Sequence, residues 1–218
     1  MRGIASIRQL KSRCTGEHGS ALILAMAAGV LLVSLGSALV LMGITETAVS
    51  GSYVRGTQTR YLADAAVARA TMELEVMGNW SDVLTGVASS SFRDGGPDGI
   101  RLTGGVTVDL SALTLALNRS AAAGPFGLNN PRWRLFAWGP AKDLVGDSVP
   151  GYVAVWVADD PDEQDNDPLL DGGAERGRGV LLMTAQAFGP GGVRRTVEVV
   201  VGRQPPLTTR ILAWRAVR

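Results

Sequence analysis

Between Gly19 and Thr45 the chain reads GSALILAMAAGVLLVSLGSALVLMGIT, 27 residues without a charged side chain. A helix rises about 1.5 Å per residue and a bilayer core takes about 20 apolar residues, so this run is long enough to cross one. It is also longer than the roughly 7 to 15 apolar residues of a secretory signal peptide, which predicts that it is retained. Arg2, Arg8, Lys11 and Arg13 precede it, opposed only by Glu17. Basic flanks are held on the cytoplasmic side, so the bulk of the chain is expected on the exported side. The one cysteine, Cys14, falls in this leader, and Lys11, Ser12 and Arg13 before it are not the small apolar residues a lipidation site requires. The exported part then has no disulfide to form.

The helix is not expected to stop with the apolar run. The first proline is Pro97, and proline in a helix interior costs about 3 kcal/mol, so its absence permits one very long helix. The expected span is about Ser20 to Met77, closed by Gly78-Asn79 and softened at Gly51 and Gly56. Past Glu46 the material changes. Val54, Tyr61, Ala65, Ala68, Met72 and Val76 recur at helical spacing and predict a buried face, while Arg55, Arg60, Asp64, Arg69, Glu73 and Glu75 supply a wet one. The predicted organisation is a leader over 1–19, an apolar helix half over 20–45, an amphipathic half over 46–78 and a β-rich exported domain over 79–218.

Within that domain, RWRLFAWGP, GYVAVWVADD, GVLLMTAQAFG and VRRTVEVVVGR, starting at Arg132, Gly151, Gly179 and Val193, are rich in β-branched and aromatic residues and bounded by turn formers. GPGG joins the last two as an antiparallel hairpin loop. IRLTGGVTVDL reads as a glycine-broken strand or hairpin, and LSALTLALNRSAAAG suits a short helix or a strand equally. The tail from Gln204 is a closing strand or a free end. The fold class that follows is α+β, with an antiparallel sheet packed on the outer half of the long helix.

A short basic leader ending in Gly19-Ser20, followed by an apolar helix running into an amphipathic one, resembles a type IV prepilin or pseudopilin. With TET at Thr45 to Thr47 and LADAAVARA at Leu62 to Ala70, the chain resembles PilX-type minor pilins over about residues 16 to 77. The resemblance implies a pilin-like fold, cleavage by a prepilin peptidase after Gly19, methylation of the new N-terminus at Ser20, and entry into a pilus at or near its tip. It also implies partners: other minor and major pilins, an inner-membrane assembly platform and a tip adhesin. Before assembly the protein would sit once across the inner membrane with its C-terminal domain in the periplasm, and afterwards in a pilus at the cell surface. Leu24 stands where most major pilins carry glutamate, a departure shared by PilX-type pilins and by the K-type pseudopilin of type II secretion. That pseudopilin is the close alternative. A tethered periplasmic domain that binds or cleaves a ligand is the alternative of another class. Independently of resemblance, Gly29, Gly36 and Gly43 fall seven apart, and Ala25 with Gly29 makes a small-xxx-small pair. Such stripes let helices approach closely, although glycine and alanine are common in membrane helices in any case.

Catalysis is not expected. His18 and Cys14 are the only histidine and cysteine, and both lie in the leader, which removes the usual nucleophilic triads and histidine zinc sites. Outside residues 1–19 the chain carries 17 basic against 19 acidic side chains, so there is no basic field for nucleic acid. No small-molecule substrate is evident, and GGAERGRG lacks the Gly-Lys-Ser/Thr of a phosphate loop. One polar constellation stands out: ADDPDEQDNDPLLDGG, with seven acids within 13 residues. A charge run of this kind reads first as a solvated loop. Its other reading is a calcium site formed by Asp160, Asp162, Asp165, Asp167 and Asp171, although the spacing is not that of an EF-hand. No other cofactor is called for.

Overall fold

The computed structural model describes residues 18–103, 105–146, 149–163, 165–172, 179–204 and 208–217. The leader's basic residues and Cys14 lie outside them, as does most of GGAERGRG. Helix α1 spans His18–Val76 in 59 residues, and the short α2 spans Ser81–Thr85. A hairpin follows, β1 (Ile100–Thr103) with β2 (Val106–Asp109), and leads directly into α3 (Leu110–Ala122). Then come β3 (Arg134–Pro140), α4 (Lys142–Val145), β4 (Tyr152–Asp159), β5 (Val180–Phe188), β6 (Arg194–Gln204) and β7 (Thr208–Val217). The last five strands form one antiparallel sheet in chain order, β3-β4-β5-β6-β7. The α+β class is therefore shown, with a long N-terminal helix and an antiparallel sheet.

The chain divides into two units, one ending at Ser50 and the other running from Gly51 to the C-terminus. In the second unit the sheet is covered on both faces around β4. Alternate residues of a strand point to opposite sides. Val153, Val155 and Val157 of β4, Leu181, Met183 and Ala185 of β5, and Val197, Val199 and Val201 of β6 pack with the 62–74 segment of α1. The residues between them, Tyr152, Ala154 and Trp156, pack with Val108, Leu110, Leu113 and Leu117 of the hairpin and α3. Every residue of β4 is buried as a result. The ambiguous segment is a helix because Asp109 caps it, accepting the Ala112 N–H at 2.9 Å, and because its leucines meet the sheet on one side. Trp133, Trp138 and Trp156 join this second layer, as a sheet-face role requires.

The sequence-predicted face of the helix is corrected by the structure. Val54, Tyr61, Ala68, Met72 and Val76 are exposed, Tyr61 to 68% and Val76 to 83%, and Ala65 is half-buried. The buried face is Thr59, Leu62, Ala63, Ala66, Val67, Ala70 and Leu74. Both sets have helical spacing, so periodicity alone does not choose between them. The sheet takes the face rich in alanine, which allows a close approach, and the second apolar stripe is left without a partner among the described residues.

The end of α1 is held by residues whose role is not visible in the local sequence. Trp80, fully buried, donates its Nε1–H to the Leu74 carbonyl at 3.0 Å. Arg203, from the far end of β6, donates to the Met77 and Gly78 carbonyls at 2.8 and 3.0 Å and stacks over the Trp80 ring. These contacts satisfy carbonyls that a helix terminus leaves open, and they put positive charge at the negative end of its dipole. The two edges of the sheet differ. Residues 90–94 run along β3, exchanging backbone hydrogen bonds with Phe136 and Trp138, whereas β7 is an outer strand with Ile211, Leu212 and Trp214 exposed.

The turn between β5 and β6 sits against the helix so tightly that a Cβ on Gly189 would lie 2.2 Å from Thr59 Oγ1. Gly189→Ala is therefore expected to destabilise the protein by about 1 to 3 kcal/mol, the usual cost of overpacking. Urea denaturation of this variant and of Gly189→Ala with Thr59→Ala should show the second change recovering part of the loss.

Candidate functional site

Two features of the described residues have chemistry that their own chain does not complete. The first is the apolar half of α1. Gly19 and Ser20, the expected cleavage and methylation positions, lie exposed in its first turn. Leu22, Leu32, Val33, Leu41 and Ile44 are each 61–70% exposed. The hydroxyls of Ser34, Ser37 and Thr45 donate to the Val30, Val33 and Leu41 carbonyls at 2.7 to 2.8 Å. Those bonds satisfy the polar groups within the helix, as a hydrocarbon environment demands. A Cβ placed on Gly29, Gly36 or Gly43 would meet nothing within 4 Å, and Ala25 is exposed. Among the described residues no close contact requires glycine at these three positions. This is a helix long and apolar enough to cross a membrane.

The second feature is the acidic connection from β4 to β5. The structure gathers Asp159, Glu163 and Asp171, with one carboxylate oxygen from each lying within 4.8 Å of the others. Of the five aspartates in the sequence expectation, only Asp171 belongs to this group. Three of the remaining four are engaged in shaping the loop: Asp160, Asp165 and Asp167 accept the N–H of Asp162, Asp167 and Leu169 respectively, each two residues on. Asp162 is exposed. Asp159 and Glu163 were passed over because neither position looks buried from the sequence. Asp159 is the last residue of a strand covered on both faces. Glu163 is turned inward where its carbonyl accepts from Asn129 Nδ2.

Burial sets the electrostatics of this group. Asp159 is 3% exposed and Glu163 not at all. Desolvation foremost, then the Glu163, Asp171 and Asp165 charges, push the Asp159 carboxyl up to about 8. Desolvation, then Asp165 and Asp171, push Glu163 up to about 7. The backbone N–H groups of Asp160 and Gly172 offset only part of the rise. No well-formed hydrogen bond reaches Asp159 Oδ1 or either oxygen of Glu163. An open groove of about 960 Å³ lies elsewhere, between α3 and β3, lined by Arg93, Ser111, Asn118, Arg132 and Trp138 among others.

Comparison with known proteins finds no family model, no curated protein and no solved structure that matches this chain.

The raised carboxyls give a pH dependence with a definite sign. The folded chain keeps protons on Asp159 and Glu163 that the unfolded chain releases near pH 4. Their contribution to stability is complete below about pH 4 and is lost as the pH rises to about 8. In chelator-containing buffer, denaturation midpoints are expected to fall between pH 5 and pH 8.5, and Glu163→Gln should flatten that slope.

Proposed function

We propose that this protein is a minor pilin that joins or primes a type IV pilus at or near its tip, and that it acts by assembly rather than catalysis. The observation that carries this reading is a helix with two unpartnered apolar regions. The membrane-length half exposes apolar side chains all round. The outer half buries one stripe on the sheet and leaves Tyr61, Met72 and Val76 exposed on another. A plain membrane tether needs the first region only. A helix that moves from lipid into a bundle of like helices uses both, and it benefits from glycines beside which the described residues leave open space. Leu24, exposed in the same helix, cannot make the ion pair that a glutamate at that place would offer, which favours an initiating or minor subunit over the repeating one. The K-type pseudopilin of type II secretion has the same requirements. The groove beside α3 favours the tethered ligand-binding domain as the reading of another class.

Mass spectrometry of the protein from cells that assemble pili separates these readings. A pilin should begin at a methylated Ser20, with Gly19→Ala retaining the leader, whereas a mature chain that keeps residues 1–19 supports the tether. Gly36→Leu should leave the melting temperature of the purified protein unchanged within about 1 °C, because the new side chain enters open space, while lowering its recovery in sheared pili several-fold.

A further inference from the structure

The connection between β4 and β5 is anchored at three points, and a carboxylate stands at each. Asp159 ends β4. Glu163 is held by Asn129 through its carbonyl. Asp171 donates its N–H to Ser81 Oγ at 3.1 Å, at the start of α2, and accepts the N–H of Gly179 just before β5. The carboxylate oxygens converge to within 4.8 Å. Among the described residues no lysine or arginine forms an ion pair with them. Glu163 is fully buried with neither oxygen in a well-formed hydrogen bond, and Asp159, nine-tenths buried and more, has one such oxygen. Buried anions in this state either take up protons or hold a cation.

We propose that Asp159, Glu163 and Asp171 form a binding site for a hard divalent cation, calcium in preference to magnesium, which fastens the β4–β5 connection to the end of β4 and to α2. The donor set consists of carboxylate oxygen alone, the chemistry of magnesium, calcium or manganese rather than of the softer metals. Oxygens this close together can share one ion. Calcium accepts bidentate carboxylates in a flexible shell, whereas magnesium demands near-ideal octahedral geometry and gives up its water reluctantly, which favours calcium at a site of three clustered carboxylates. Both oxygens of Glu163 are open to bidentate contact, and Asp165 Oδ2, also buried and unpartnered, supplies a fourth carboxylate nearby. Water completes a shell of 6 to 8 ligands.

The site is independent of the pilus reading and is tested separately from it. The full-length protein in detergent at pH 7.5 would be melted in EDTA, in 2 mM calcium and in 2 mM magnesium, with titration calorimetry of calcium alone. Calcium should raise the melting temperature by about 5 °C or more, and magnesium by less. Glu163→Gln should abolish the calcium response while melting higher than wild type in EDTA, because it removes one repelling charge. Asp171→Asn keeps an oxygen to accept the Gly179 N–H and serves if Glu163→Gln fails to fold. It should weaken calcium binding at least tenfold, and Asp162→Asn should leave it unchanged. No heat of binding and no calcium shift in the wild type, or a full calcium response in both site variants, would overturn the proposal. So would an infrared carboxylic-acid band that persists in saturating calcium, which would mean that the group keeps its protons instead.

Discussion

The constraint on which this molecule depends is an apolar helix surface that lies exposed among the described residues. Fourteen large apolar residues from Leu22 to Ile44 are 61–70% exposed. Apolar surface taken out of water contributes roughly 25 cal/mol per Å², so a helix of this kind has a strong demand for lipid or for another helix. Its polar side chains make the demand easier to meet, since Ser34, Ser37 and Thr45 bond backward to their own helix rather than to solvent. The second unit has a complete core of its own, built from Leu62, Val67 and Leu74 on one side and three strands' worth of valines and alanines on the other.

That core depends on close approach between helix and sheet. The alanines at 63, 66 and 70 bring α1 close to the sheet, and Gly189 lets the β5–β6 turn approach Thr59 without a Cβ between them. Trp80, six residues on from Leu74, and Arg203, 125 and 126 residues on from Gly78 and Met77, then close the helix terminus. With β4 buried on both faces, its last residue, Asp159, carries a carboxylate into a desolvated place. Glu163, four residues on, is buried with it, so part of the charge run is desolvated rather than solvated.

Much of this architecture is legible in the sequence. The unbroken helix follows from the missing prolines, the strands from β-branched runs between turn residues, and the β5–β6 hairpin from GPGG. The helix face was misread for a physical reason: alanine, valine and tyrosine occur at helical spacing on two sides of residues 54–76, and only the sheet's shape selects Leu62 and Leu74 over Tyr61 and Met72. The role of Trp80 was not accessible because its partner, Arg203, is distant in the chain. The acidic loop was seen as a unit, but side-chain direction was not. Asp160, Asp165 and Asp167 look like ligands by spacing, yet they bond their own backbone. Asp159 and Glu163 look like loop residues, yet they point inward.

Under the proposed function the helix from Ser20 to Thr45 exchanges a lipid partner for a protein one. A photo-reactive residue placed at Leu32, irradiated first in membranes and then in assembled appendages from the same cells, tests this directly. The account predicts adducts with lipid in the first sample and with neighbouring helices in the second. Lipid adducts in every fraction, with no protein partner in any, would contradict it.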